Sequence, residues 1–137
     1  TLNVMSLYKK ILLVDDDKDD QLFFVEALKE LQPSLACGIA NNGVEAIEHL
    51  EKVPPPPILI FLDLNMPLMN GFECLEQLKK ANDYKEIPVI IFTTSNHPVD
   101  MEKTLSMGAK MYFTKPGDFN TLKSKLQDIL KTYSLVA

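Results

Sequence analysis

Two apolar runs that end on acid constrain this chain more than any other feature. Ile58-Leu59-Ile60-Phe61-Leu62 follows the turn signal Pro54-Pro55-Pro56-Pro57 and runs straight into Asp63, and Ile11-Leu12-Leu13-Val14 runs into Asp15-Asp16-Asp17. Continuous branched apolar residues without polar alternation read as strands buried on both faces, the habit of a parallel sheet covered by helices. Asp is depleted from strands and costly in a core. An acid at the tip of such a strand therefore needs a partner, a metal or a chemical task.

The rest of the chain repeats the unit. Helix one follows the triple acid, with Asp19 or Asp20 placed to cap it and Leu22, Phe23, Val25, Leu28 and Leu31 as its apolar face, and Pro33 ends it. Leu35 to Ala40 predicts a short strand, Asn41-Asn42-Gly43 a turn, and Val44 to Lys52 a helix burying Ala46, Ile47 and Leu50. After the Asp63 strand, Gly71 to Ala81 predicts helix three, with Phe72, Leu75 and Leu78 inward. Val89-Ile90-Ile91-Phe92 is a further buried strand ending in Thr93-Thr94-Ser95. His97-Pro98 opens helix four, whose face of Val99, Met101, Leu105 and Met107 is the poorest in the chain, so a loosely anchored element is expected. Met111-Tyr112-Phe113 leads into Thr114-Lys115-Pro116-Gly117, and Phe119 to Tyr133 predicts helix five.

Five short strands alternating with five amphipathic helices predict an α/β fold: a flavodoxin-like, doubly wound, three-layer (βα)5 sandwich. Right-handed crossovers place every strand's C-terminal end on one edge. A common order for such a sheet is 2-1-3-4-5, with a crevice between strands one and three. Residues 9–133 are expected to form the domain, with 1–8 as an extension and 134–137 as a tail. With 137 residues, one domain with a real core is expected. A net charge of -5 argues against a nucleic-acid partner. No apolar run approaches the roughly 20 residues of a membrane span, so no membrane association and a cytoplasmic location are expected. Cys37 and Cys74 have neither disulfide nor zinc spacing and read as buried small hydrophobes. His49 is expected to be exposed on helix two, with no role.

The predicted edge gathers Asp15, Asp16, Asp63, Thr93 and Lys115. Like charges raise one another's pKa, so three carboxylates in one pocket call for a divalent cation. Oxygen-only ligands suit Mg²⁺ or Mn²⁺ and not zinc. A cation, an ammonium and a hydroxyl together fit a phosphoryl group, with Asp63 as the nucleophile forming an acyl phosphate.

Val14-Asp15-Asp16, Asp63-Leu64-Asn65-Met66-Pro67 followed by Gly71, Pro88 to Thr93, Gly108-Ala109, Tyr112 and Lys115-Pro116 together resemble the receiver domain of two-component response regulators, over nearly all of residues 9–133. The resemblance implies that Asp63 accepts a phosphoryl group from a sensor histidine kinase or a phosphotransfer protein. It also implies that Asp16, Asp63 and the Asn65 backbone carbonyl bind Mg²⁺ directly, with Asp15 acting mostly through water. Lys115 would contact the phosphoryl oxygens, Thr93 would close on them, and Tyr112 would swing inward as a coupled switch. A downstream protein partner, a homodimer through the helix 4, strand 5, helix 5 face, and a cis bond before Pro116 are further implications. The chain is expected to act as a stand-alone receiver without an output domain, or as a piece of a longer protein, and at most to catalyse its own phosphorylation and dephosphorylation. Gly117 departs from the family, where an apolar residue is common after Lys-Pro.

Blander and rival readings exist for each feature. A lone Asp at a strand end is more often a cap, and Asp17 reads best as a solvated turn residue. Asp15-Asp16-Asp17-Lys18-Asp19 also matches the Asp-x-Asp start of haloacid-dehalogenase-type phosphatases, with Asp15 as nucleophile, but the late acid pair and cap segment are missing. The same stretch brushes the EF-hand pattern, but Asp20 replaces the required Gly and a strand precedes it.

Overall fold

Parity along each strand decides which helices cover it. The computed structural model describes residues 9–136, in the order β1 (Lys10–Val14), α1 (Lys18–Leu31), β2 (Ala36–Ala40), α2 (Gly43–Lys52), β3 (Leu59–Leu62), α3 (Gly71–Lys80), β4 (Val89–Thr93), α4 (Pro98–Ser106), β5 (Met111–Thr114) and α5 (Phe119–Thr132). The strands form one five-stranded parallel sheet in the order β2-β1-β3-β4-β5. Successive side chains point to opposite faces. Ile11, Leu13, Leu59, Phe61, Ile90 and Phe92 therefore pack with Phe24, Ala27 and Leu28 of α1 and Leu122, Leu126 and Leu130 of α5. Leu12, Val14, Ile60, Leu62, Val89 and Ile91 face the other way, onto Ala46 and Leu50 of α2 and Leu75 and Leu78 of α3. Residues β1, β3 and β4 are buried throughout, the consequence of helices on both faces.

The phase of α1 differs from the sequence expectation. Leu22 and Phe23 are 55% and 48% exposed, while Gln21, Phe24, Ala27 and Leu28 are buried. The inward set is spaced i, i+3, i+4, the true one-face helical period; Ala27, too small to draw notice, holds the middle of it. Phe24 meets Phe61 edge-on with centroids 4.9 Å apart. The cap is Asp17, whose side chain accepts the Asp20 N–H at 3.0 Å, rather than Asp19 or Asp20.

Two other local expectations change. His49 is half-buried, because Lys10, 5% exposed at the start of β1, runs under the end of α2. The Lys10 ammonium lies 2.9 Å from His49 Nε2 and donates to the Val53 carbonyl at 3.1 Å. The imidazole fits over β2 because residue 38 is Gly: a Cβ there would lie 2.7 Å from the ring. Cys37 is half-buried and Cys74 fully buried, and burial pushes both thiols up to about 12, which makes them unreactive. The cis bond among the described residues is Pro54–Pro55, not the one before Pro116.

Helix α4 is as poorly anchored as its pattern implies. Thr104 is its one fully buried side chain, hydrogen-bonded to the Asp100 carbonyl, while Val99, Met101 and Leu105 are 73%, 41% and 42% exposed. Past α5, Leu135 is buried and its N–H donates to the Leu130 carbonyl at 2.8 Å, so the residues after the helix pack back on the core. Residues 1–8 lie outside the described residues.

Candidate functional site

Three strand ends and one helix start meet around a single ammonium. The β1 tip supplies Asp15, fully buried, and Asp16, exposed. Asp63 follows β3 and is 6% exposed. Its Oδ1 accepts the Leu64 N–H at 2.8 Å and its backbone N–H donates to the Val14 carbonyl at 2.9 Å, which locks the two strand ends together. Lys115 follows β5, and its N–H donates to the Thr93 carbonyl at 2.7 Å. The Lys115 ammonium stands 2.8 Å from Asp15 Oδ2, 2.8 Å from Asp20 Oδ2 and 3.2 Å from Asp63 Oδ2.

The pocket needs Gly71. A Cβ at that position would lie 2.1 Å from the Asp63 carbonyl oxygen and 2.7 Å from Leu64 Cα. Only glycine lets the start of α3 close against the end of β3, where the Gly71 N–H donates to the Leu64 carbonyl at 3.0 Å. Asn70 caps the helix through a reciprocal capping box with Glu73.

The electrostatics are those of an acid cluster short of positive charge. Oxygens of Asp15, Asp16 and Asp63 all lie within 4.8 Å of one another. Asp15 Oδ1 accepts the Asp17 N–H at 2.9 Å, but Oδ2 has only Lys115, at 2.8 Å and outside hydrogen-bond geometry. Burial pushes the Asp15 carboxyl up to about 6, against the Lys115 ammonium and the Asp17 N–H that favour its charge, and the Asp63 charge adds to the rise. Burial by itself would lower Lys115. The carboxylates of Asp15, Asp20 and Asp63 outweigh it and hold the ammonium above its ordinary value. Burial thus governs Asp15 and ion pairing governs Lys115, while the three clustered acids offer oxygen ligands alone. Such an oxygen-only donor set suits a hard divalent cation.

Thr93 and Tyr112 are both tied to Ser95, just past the end of β4. Thr93, fully buried at the end of β4, accepts the Ser95 N–H on its hydroxyl at 3.4 Å. The half-buried Tyr112 hydroxyl donates to the Ser95 carbonyl at 2.8 Å. Asn65, two residues past Asp63, is exposed. Of the residues singled out from sequence, Asp15, Asp16, Asp63 and Lys115 are brought into one cluster, Thr93 and Tyr112 are tied to Ser95, and Asn65 adjoins Asp63 along the chain.

Sequence reasoning missed Asp20 and Gln21. The sequence pattern marks Asp20 only as a cap, although the first turn of a helix that follows β1 must hang over the same edge as Lys115. Gln21 donates from Nε2 to the Asp15 carbonyl at 2.6 Å and to Asn41 Oδ1 at 2.9 Å. No sequence signal marks a glutamine as the fastener between the β1 and β2 tips.

The chain matches the family described as response regulator receiver domain over residues 11–127. It is 34% identical to the response regulator Rcp1 of Synechocystis sp., covering 94% of this chain and 94% of that protein. It is 34% identical to the chemotaxis protein CheY1 of Helicobacter pylori strain J99, covering 90% and 98%. Among solved structures, the Mn²⁺-bound form of Rcp1 superposes with a TM-score of 0.82 at 33% identity, covering 91% of this chain and 94% of that one. The phosphorylated cyanobacterial phytochrome response regulator RcpA gives a TM-score of 0.86 at 30% identity, covering 93% and 94%. Sheet order, acid cluster, strand-tip lysine and these likenesses have one common reading: the chain belongs to the response regulator receiver domain family.

Proposed function

We propose that Asp63 is the phosphoryl acceptor of this receiver in two-component signalling. Proteins of this family are phosphorylated by histidine kinases and pass the signal to downstream partners. The observation that carries the assignment to Asp63 is its place: of the two acids in the three-carboxylate cluster that face the Lys115 ammonium, Asp15 and Asp63, it is the one whose Oδ2 accepts a well-aligned hydrogen bond from Lys115, at 3.2 Å, and the one not wholly enclosed, 6% against 0% exposed. Asp15, the nucleophile of the phosphatase alternative, is fully buried with its oxygens turned to the Asp17 N–H and Lys115, and nothing in the likenesses favours that chemistry.

Asp15, Asp16 and Asp63, with the Asn65 carbonyl, would hold Mg²⁺ or Mn²⁺; the three carboxylates gathered within 4.8 Å are the support for that fit, and Mn²⁺ is the ion of the Rcp1 structure. When bound, the cation neutralises negative charge as the phosphoryl group moves. An Asp63 oxygen attacks phosphorus as the bond from phosphorus to the donor breaks, its electron pair leaving with the donor group, and Lys115 donates to the phosphoryl oxygens. Phosphorylation adds about -1.5 to -2 charge and three acceptor oxygens. The Thr93 hydroxyl accepts the Ser95 N–H at 3.4 Å and keeps its own O–H to turn toward them. Moving Ser95 breaks the Tyr112 hydrogen bond on the same residue, which couples the pocket to β5. The exposed apolar side chains of α4 border a groove of about 430 Å³ lined by Met101, Leu105, Tyr112 and Ile129. That face is proposed to take the downstream partner or a second copy.

Incubation with Mg²⁺ and acetyl phosphate, followed by peptide mass spectrometry, tests the acceptor. Phosphoryl on the peptide holding Asp63, absent in Asp63→Asn, is expected; label that persists in Asp63→Asn and disappears in Asp15→Asn would overturn the assignment. No helix of the described residues is long and apolar enough to cross a membrane.

A further inference from the structure

We infer that Asp20 is a positioning residue that restrains Lys115 and so holds the pocket back from free anionic phosphodonors. The inference rests on Asp63 being the phosphoryl acceptor. An ammonium has three N–H donors, and here three carboxylate oxygens surround it: Asp15 Oδ2 and Asp20 Oδ2 at 2.8 Å and Asp63 Oδ2 at 3.2 Å. Asp20 is the one of these three outside the cation-competent group of Asp15, Asp16 and Asp63. Its hydrogen bond from Lys115 is the shorter of the two well-aligned ones, 2.8 Å against 3.2 Å for Asp63.

The restraint is built into α1. The Asp20 backbone N–H is fixed by the Asp17 cap at 3.0 Å, so its carboxylate hangs over the sheet edge from a rigid turn. The side chain is 31% exposed and borders a hollow of about 300 Å³ shared with Phe23, Phe92, Lys115, Pro116 and Phe119. Residue 117 adds nothing to fill that hollow, since a Cβ on Gly117 would meet no atom within 4 Å. Lys115 can thus be drawn toward Asp20 with open space behind it.

An incoming phosphoryl group needs the Lys115 donors and brings negative charge. Asp20 takes one donor, and because Asp20 Oδ2 and Asp63 Oδ2 share one ammonium, they are at most about 6 Å apart, close enough for like charges to repel through an intermediate dielectric. Asp15, Asp16, Asp20 and Asp63 set four carboxylates against one ammonium, so even a divalent cation leaves the pocket one charge negative. Without Asp20 that excess is gone. In the transfer itself the bond between phosphorus and the acetate oxygen breaks with its electron pair left on acetate, and the bond to an Asp63 oxygen forms. No proton moves, and Asp20 is unchanged.

The test compares wild type, Asp20→Asn, Asp20→Ser and Asp19→Asn at saturating Mg²⁺, measuring the rate of phosphorylation against acetyl phosphate concentration and the apparent affinity for beryllofluoride. Asp19 supplies the control because it lies in the same turn, is exposed and touches none of the pocket groups. Asp20→Asn keeps an acceptor for Lys115 and loses the charge. It should raise both the rate at low donor concentration and the beryllofluoride affinity by about three- to tenfold at low salt, with the gain shrinking at high salt. Asp20→Ser should do the same if Asp20→Asn folds poorly, and Asp19→Asn should stay within about twofold of wild type. A slower or unchanged Asp20 variant, or an equal gain from Asp19→Asn, overturns the restraint alone. No transfer to Asp63 in wild type would instead overturn the acceptor reading on which it depends.

Discussion

In metal-free buffer the protein should become less stable as the pH rises through the range in which Asp15 ionises. Asp15 is fully buried, and its carboxyl is pushed from the ordinary 3.8 up to about 6. A folded-state pKa above the unfolded one means that the folded protein binds the proton more tightly. The stabilisation is present in full below the unfolded value and is lost as pH climbs through the folded one. At about 1.36 kcal/mol per unit, the shift is worth at most about 3 kcal/mol. The part of it falling between about pH 5 and pH 7.5 is about 1.4 kcal/mol. Urea titrations in EDTA at those two pH values, on wild type and Asp15→Asn, isolate this contribution because the other titratable groups are common to both. Wild type should lose about 1.4 kcal/mol more than the variant over the interval. Adding Mg²⁺ at ten times its dissociation constant should return about 1.4 kcal/mol to wild type and much less to Asp15→Asn. Parallel pH profiles for the two proteins in EDTA would refute the reasoning, since the buried carboxylate would then cost nothing.

Lys115→Met removes the cation that competes for the same oxygens, so Mg²⁺ should bind at least several-fold more tightly by calorimetric titration while phosphorylation by acetyl phosphate falls; unchanged Mg²⁺ affinity would mean that the ammonium and the metal do not share ligands. Gly71→Ala places a methyl 2.1 Å from the Asp63 carbonyl, and about 1–3 kcal/mol of stability should be lost in denaturant titration. Phe24→Ala should cost about 3–5 kcal/mol. Its half-exposed neighbour in Phe23→Ala should cost about 1 kcal/mol or less, and equal losses would put the helix phase in error.

Much of the fold and part of the site were legible from local pattern. Ile11 to Val14 and Ile58 to Leu62 state their burial in every residue, and alternation with helices leaves a parallel sheet as the arrangement that covers both faces. Once the sheet is parallel, Asp15, Asp63, Thr93 and Lys115 must share an edge, whatever packs elsewhere. The Asp17 cap, the α1 phase and the Lys10 pairing with His49 were not legible in the same way. Leu22, Phe23, Phe24 and Val25 offer apolar side chains all round one turn, and only the Phe61 ring under Phe24, 4.9 Å away, selects the buried one.

By itself, then, the sequence determined the strands, their direction and the chemical types collected at one edge, because these follow from periodicities of two and 3.6 and from the handedness of the crossovers. Tertiary structure alone decided which carboxylate oxygens come within 4.8 Å and that Lys115 is shared with Asp20. Those are differences of a few ångströms, fixed by how helices seat on the sheet and where each side chain can turn, and residue order along the chain carries no record of either.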